Sequence, residues 1–405
     1  MAAAEAGVLL LRPRDTGPTP APVRASDYFT DDELDRARAF RRPQRVLSLA
    51  GLAVNAGVLT WLTFGRSGPP ALLRRRPRRP VLAGAATGAA MAVGLSAAAI
   101  PLSAVSRKRA MDVGLVTQSW RGWAGDLAKA WTIEAAFSGA GGAAGVALVR
   151  RFPRAWWAPG AALVVAFGVT TTFLGPVLLD PIFNKFTPLP EGRTRAEVLD
   201  LARRAGVDVG EVYEVDASRR TTGANAYVNG IGRTKRVVLF DTLLRDFDAD
   251  EVRLVVAHEL GHVRHADVPR FLAFLAILAP AGMLAIAHAT ADLLREEPRD
   301  AGPRALPAAA LASTVVVTAV RAIANQLSRR IERRTDAFAL DLTNAPEPFI
   351  GFEKRVTVQN VMEPDAPRWA ELLFGTHPTT LQRIGAAVAF RDSARPADRR
   401  TPEGS

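Results

Sequence analysis

Apolar and charged positions along this chain are segregated into blocks rather than mixed. Apolar stretches long enough to cross about 30 Å of hydrocarbon fall near 46–65, 81–105, 126–149, 157–179, 269–292 and 306–327. Asn55 interrupts the first, and Glu134 with the Gly-rich run 138–145 dilutes the third. Glu134, Arg321 and Asn325 either sit at helix ends or line a polar cavity among the helices. A mostly polar block, about 184–265, separates the fourth span from the fifth. Within it, residues 224–228 and 236–240 alternate like strands, and Asn229-Gly230-Ile231-Gly232 carries hairpin turn chemistry. Asp248-Ala249-Asp250-Glu251 supplies an acidic N-cap with Glu three residues on, followed by Val252, Val255, Val256 and Val263 on one face, so a helix is predicted from there. Between Ala308 and Thr343 there is neither Gly nor Pro, so the last apolar helix is predicted to run on unbroken past its span.

This pattern predicts an α-helical polytopic membrane protein with an inserted α+β domain. Its parts are a polar N-terminal arm (1–44), an N-terminal transmembrane region of about four spans (45–180), the inserted domain (181–268), a transmembrane hairpin (269–327), a C-terminal part of the inserted domain (328–391) and a disordered tail (392–405). Val8-Leu9-Leu10-Leu11 is too short for a signal-peptide core, so the arm is expected to be retained.

Charge adds a partner. The 52 Lys and Arg against 40 Asp and Glu give a net charge of +12, concentrated beside the spans as in Arg74-Arg75-Arg76-Pro77-Arg78-Arg79. Such runs suit anionic lipid headgroups, and without a nucleic-acid motif no nucleic acid is expected as a partner. Counting basic residues favours a cytosolic N-terminus by a narrow margin. The absence of Cys excludes disulfides and thiolate metal ligands.

The candidate chemistry lies in the histidines. Of five in the chain, three fall within His258-Glu259-Leu260-Gly261-His262-Val263-Arg264-His265. On a helix, His258 and His262 share a face and can bind one metal ion, while Glu259, one residue round, can serve as a base. Gly261 leaves room beneath the metal. A catalytic zinc site uses three protein ligands, so a third is needed. His265 lies about 10 Å along the helix from His258, too far to share the ion. His288 is inside an apolar run, and His377 precedes Pro378 in a loop-like stretch. Glu332 is the better candidate. The unbroken helix from Ala308 delivers it to the membrane face where the His258–His262 helix ends, and Asp336, four residues on, can orient a ligand histidine.

Short stretches in order along the chain carry a resemblance. They are Gly114-Leu115-Val116-Thr117-Gln118, Phe183-Asn184-Lys185-Phe186-Thr187-Pro188-Leu189, Asn225-Ala226-Tyr227, Val238-Leu239-Phe240-Asp241-Thr242-Leu243-Leu244, the His258–His262 motif, Ser328-Arg329-Arg330-Ile331-Glu332 with Asp336, and His377-Pro378 with Arg383. From about Tyr28 to Arg383 the chain resembles the integral-membrane zinc metallopeptidases of the CAAX prenyl protease type 1 family. The resemblance implies a helical membrane barrel around a water-filled chamber, closed on the cytosolic side by the zinc domain. It implies peptide hydrolysis by zinc-activated water with Glu259 as general base, and one Zn2+ on His258, His262 and Glu332. Asp336 would orient a ligand, Asn225 would grip the substrate backbone, and His377 with Arg383 would steady the oxyanion or substrate carbonyl. The implied partners are a peptide or membrane-protein substrate and the lipid bilayer, with the site facing the cytosol. A multi-pass position in the plasma membrane is expected. The chain departs from the family pattern in having six spans rather than seven, in Val263-Arg264-His265 after the second histidine, and in His377-Pro378-Thr379 for His-Pro-Pro. These departures bear on substrate preference, leaving a membrane-protein quality-control protease, like the bacterial heat-shock membrane metalloprotease, or a non-catalytic scaffold as the alternatives.

Overall fold

The structure is a computed structural model that describes residues 1–73, 77–230 and 235–394. Among the described residues, six helices are long and apolar enough to cross a membrane. They are α2 (Asp31–Phe64), α3 (Pro80–Asp112), α4 (Trp120–Arg151), α5 (Trp157–Leu178), α8 (Asp267–Leu294) and α9 (Ala305–Thr343). Each contains one of the six predicted apolar stretches, the interrupted first and the diluted third included. The chain divides into two compact units, and α2, α5, α8 and α9 each contribute to both.

The first unit holds 1–10, 42–175 and 270–324. Its tightest contact is between α3 and α4, and it rests on small residues. A Cβ on Gly142 would stand 2.3 Å from the Gly84 carbonyl oxygen, so only glycine lets these backbones touch. Glu134 is not idle there: its Oε2 accepts a hydrogen bond from Ser96 at 2.9 Å.

The second unit holds 11–41, 176–269 and the chain from 325 on. A four-stranded sheet has the order β1 (Phe186–Pro188), β2 (Glu211–Val215), β4 (Arg236–Phe240), β3 (Ala226–Asn229). β2 and β4 run parallel and the other pairs antiparallel, so β3 is an edge strand. The predicted hairpin is present in β3 and β4, with Ala226 opposite Leu239; residues 231–234 of its turn lie outside the described residues. Helices α6 (Arg193–Arg204) and α7 (Ala249–Arg264) share one core with the sheet, built from Val198, Leu201, Val212, Val237, Leu239, Val256 and Leu260. Two further helices, α10 (Pro346–Gln359) and α11 (Thr380–Ala394), also belong to this unit.

Two expectations change. The first 44 residues are not one polar arm: Ala2–Leu11 forms an apolar helix, α1, with Ala4, Gly7 and Val8 buried, and 11–41 belongs to the other unit. A ten-residue helix draws its stability from packing rather than propensity, so its own sequence hardly announces it. The expected disordered tail begins inside α11, which runs to Ala394; the rest of it, 395–405, lies outside the described residues, as do Arg74, Arg75 and Arg76 of the basic run.

Candidate metal centre

α7 begins as its sequence predicts. The Asp248 carboxylate accepts from the Glu251 N–H at 3.0 Å, and the Glu251 carboxylate accepts from the Asp248 N–H at 3.0 Å. This capping box fixes the helix start. From there His258 and His262 fall on one face, with ring centroids 4.9 Å apart. α9 then brings in Glu332: its Oε2 lies 3.2 Å from His258 Nε2, and its Oε1 lies 3.6 Å from His262 Nε2. One donor atom from each of the three residues falls within 4.8 Å of the others. Gly261 has a different task from the one its position suggests. A Cβ there would stand 2.9 Å from Thr335 Cγ2 and 3.0 Å from Phe338 Cδ1, so its bareness admits α9, the helix that carries Glu332.

Behind the cluster stand two carboxylate and arginine pairs. His258 Nδ1 lies 2.9 Å from Asp336 Oδ1. Arg383 donates to both Asp336 oxygens, Nε at 2.9 Å and Nη2 at 2.6 Å, and its Nη1 lies 2.5 Å from Glu353. On the other side His262 Nδ1 lies 3.0 Å from Asp267 Oδ2, and Asp267 Oδ1 accepts from Arg334. Asp267, Asp336 and Glu353 are all buried.

The electrostatics favour a cation. Burial opposes a charge on His258, yet the Asp336 and Glu332 carboxylates outweigh it and push its pKa up to about 10. Burial also lifts the Glu259 carboxyl above its usual range, although His258 and His262 pull it back down. Burial pushes Glu353 up to about 7 against the pull of Arg383, because one guanidinium serves two buried carboxylates. A carboxyl that binds its proton more tightly when folded favours the fold at low pH, and that contribution is lost as pH rises from the ordinary carboxyl range to about 7. Thermal unfolding of the purified protein should therefore show stability falling over that window, by roughly 1–3 kcal/mol through this group. Glu353→Gln should flatten the fall, and an unchanged pH slope in that variant would assign it to other groups.

His377 is at the open side: its side chain is 59% exposed, and its Nε2 lies 3.4 Å from Glu332 Oε2. His265 caps α7, with Nδ1 2.9 Å from the Gly261 carbonyl oxygen and its ring edge-on to Phe338. His288 faces its own helix, with Nδ1 2.9 Å from the Leu284 carbonyl oxygen. Asn225 is held by the sheet rather than by the cluster. Exposed at the start of β3, it accepts the Phe240 N–H at 3.1 Å through its carbonyl oxygen and the Ala226 N–H at 2.9 Å through Oδ1. Arg383 differs from what the resemblance implies, because its three nitrogens face Asp336 and Glu353 instead of open space. Asn325, buried, donates to the Leu372 carbonyl at 3.1 Å and so ties α9 to a neighbouring segment.

The sequence reading did not find Asp267, Arg334 and Glu353. Asp267 sits two residues before Pro269, where the span was expected to open, and nothing local marks it as a partner of His262. Glu353 meets Arg383 across thirty residues, and such a long-range ion pair leaves no periodic signature.

Residues 188–390 match peptidase family M48. Over 292 residues the chain is 30% identical to the uncharacterized metalloprotease YhfN of Bacillus subtilis, covering 70% of this chain and 68% of that one. It is 31% identical over 216 residues to a CAAX prenyl protease 1 homolog of Oryza sativa, covering 52% of this chain and 51% of the relative. It is 40% identical over 100 residues to CAAX prenyl protease 1 of Saccharomyces cerevisiae, covering 24% and 22%. The chain thus spans about half or less of the CAAX prenyl proteases it matches here. The crystal structure of S. mikatae Ste24p has the same fold, with a TM-score of 0.77 over 95% of this chain and 96% of that chain at 21% identity. With six apolar helices and the His258–His262 motif inside the matched segment, the chain belongs to peptidase family M48 and is a multi-pass membrane metallopeptidase.

Proposed function

We propose that the chain is a zinc endopeptidase that cleaves peptides or membrane-protein segments next to the bilayer, similar to the CAAX prenyl proteases. The observation that carries this is the convergence of His258, His262 and Glu332, from two stretches far apart in sequence, beside the half-buried Glu259. The donor set fits zinc, being two imidazoles and one carboxylate. Glu332 Oε2 supports that fit: it is a buried carboxylate oxygen without a hydrogen-bond partner, 3.2 Å from His258 Nε2, and a shared cation would satisfy it. Zinc bound there would polarise the scissile carbonyl and acidify the attacking water.

The chain's own residues do the rest. Glu259 takes a proton from the water and hands it to the leaving amine. His377, exposed beside Glu332, reaches the carbonyl oxygen as it gains charge. Asn225 and the free edge of β3 hold the substrate backbone extended, in the manner of an added strand. Asp336 orients His258, and Arg383 acts on Asp336 rather than on the substrate. The site faces the cytosol from a plasma-membrane position.

A pair of internally quenched peptides differing only in a farnesylated cysteine near the C-terminus tests the substrate class. The purified protein in lipid nanodiscs should cleave both, with cleavage lost on chelation and restored by zinc. Cleavage confined to the farnesylated peptide would make the chain a dedicated CAAX-type enzyme. Cleavage of neither by the zinc-loaded protein would contradict the endopeptidase reading.

A further inference from the structure

We propose that Asp267, clamped by Arg334, is a positioning residue that sets the proton and the orientation of His262 for metal binding. The proposal rests on the zinc reading above and concerns residues which that reading leaves unassigned. On an unbroken helix, a residue five positions after His262 would point about 140° away from it. Here α7 stops at Arg264 and α8 starts at Asp267, and the link, Ala266, adopts a left-handed φ of 53°. That conformation is uncommon for a residue with a Cβ. The break folds the chain back, and Asp267 Oδ2 arrives 3.0 Å from His262 Nδ1.

The surroundings of Nδ1 decide where the imidazole proton sits. Asp267 offers a carboxylate oxygen. Thr335 Oγ1 lies 3.5 Å away, but its hydroxyl donates to the Ile331 carbonyl at 3.0 Å, so it also turns a lone pair toward the ring. With acceptors on both sides, Nδ1 carries the proton, and the Nε2 lone pair is left facing Glu332 Oε1 at 3.6 Å. This tautomer is the one a metal ion needs at Nε2, and the hydrogen-bonded carboxylate makes the ring a more basic ligand. Asp267 is 2% exposed, a costly place for a lone carboxylate, and Arg334 supplies the opposite charge on its other oxygen. Its place in the first turn of α8 adds the favourable end of the helix dipole. His258 has the corresponding arrangement in Asp336 and Arg383, so each candidate histidine ligand is backed by its own carboxylate and arginine.

The test is zinc affinity, read by competition with a chromophoric chelator on the full chain in detergent, without substrate. Asp267→Ala should weaken zinc binding about 10–100-fold. Asp267→Asn should fall between that variant and wild type, since its amide oxygen still accepts the Nδ1 proton but carries no charge. Arg334→Ala should weaken binding less, and the Asp267→Ala/Arg334→Ala double variant should match Asp267→Ala alone, because Arg334 acts through Asp267. The double variant also avoids a buried unpaired guanidinium, so it reports on affinity if the single variant folds poorly. Glu332→Ala serves as the control for the zinc reading. Wild-type affinity in Asp267→Ala and in the double variant, with zinc lost in Glu332→Ala, would overturn the positioning role and leave the zinc site standing. Wild-type affinity in Glu332→Ala as well would overturn both.

Discussion

Glu259→Gln should abolish peptide cleavage, by about 10²–10⁴-fold or more, while the protein keeps its metal. The two properties separate because they reside in different side chains. The donor atoms that converge belong to His258, His262 and Glu332, and Glu259 is not among them. Glu259 instead lies half-buried beside the cluster, where His258, His262 and Glu332 all act on its charge. Glutamine keeps the shape of this side chain but cannot accept a proton from the attacking water or return it to the leaving amine. Turnover with the quenched peptides and zinc content of the same preparation check this together. Near-wild-type cleavage in a preparation free of other proteases would place the base elsewhere.

His377→Ala is expected to lower kcat by about 10²–10³-fold, the usual loss when one donor to a developing oxyanion is removed, with zinc content and KM nearly unchanged. The position supports this: Nε2 is 3.4 Å from Glu332 Oε2 and the side chain is 59% exposed, so it borders the cluster and is open to solvent. Its Nδ1 lies 2.9 Å from Thr376 Oγ1, which holds the ring in place. Asn225→Ala should have the complementary effect, raising KM more than it lowers kcat, because its place at the start of an edge strand serves binding rather than chemistry. Full kcat in His377→Ala would remove it from the reaction.

What the sequence disclosed follows from which signals are local. The six spans could be read because a bilayer demands about twenty apolar residues in a row, which no soluble element mimics. The start of α7 could be read because a capping box lies within four residues. Glu332 could be placed because nothing between Ala308 and Thr343 breaks a helix, and α9 indeed runs unbroken through it. What escaped depends on distant partners. The packing of α1 rests on Phe274 and Ile277, whose relation to Gly7 no window of sequence contains. Asp267 reaches His262 through one left-handed residue, Ala266, and alanine gives no hint of that conformation. Arg383 could be assigned to a substrate from resemblance, whereas its actual neighbours, Asp336 and Glu353, come from two other helices. Gly261 was legible as a place needing room, but the body that fills the room, α9, was not.

Metal content decides whether His258, His262 and Glu332, from α7 and α9, act as one metal site. The wild-type protein should hold about one zinc per chain, bound through two imidazole nitrogens and one carboxylate in its X-ray absorption spectrum. Glu332→Ala should lose most of that zinc, and His265→Ala, whose ring faces Gly261 and Phe338, should retain it. Zinc lost in His265→Ala but kept in Glu332→Ala would contradict the assignment and move the third ligand off α9.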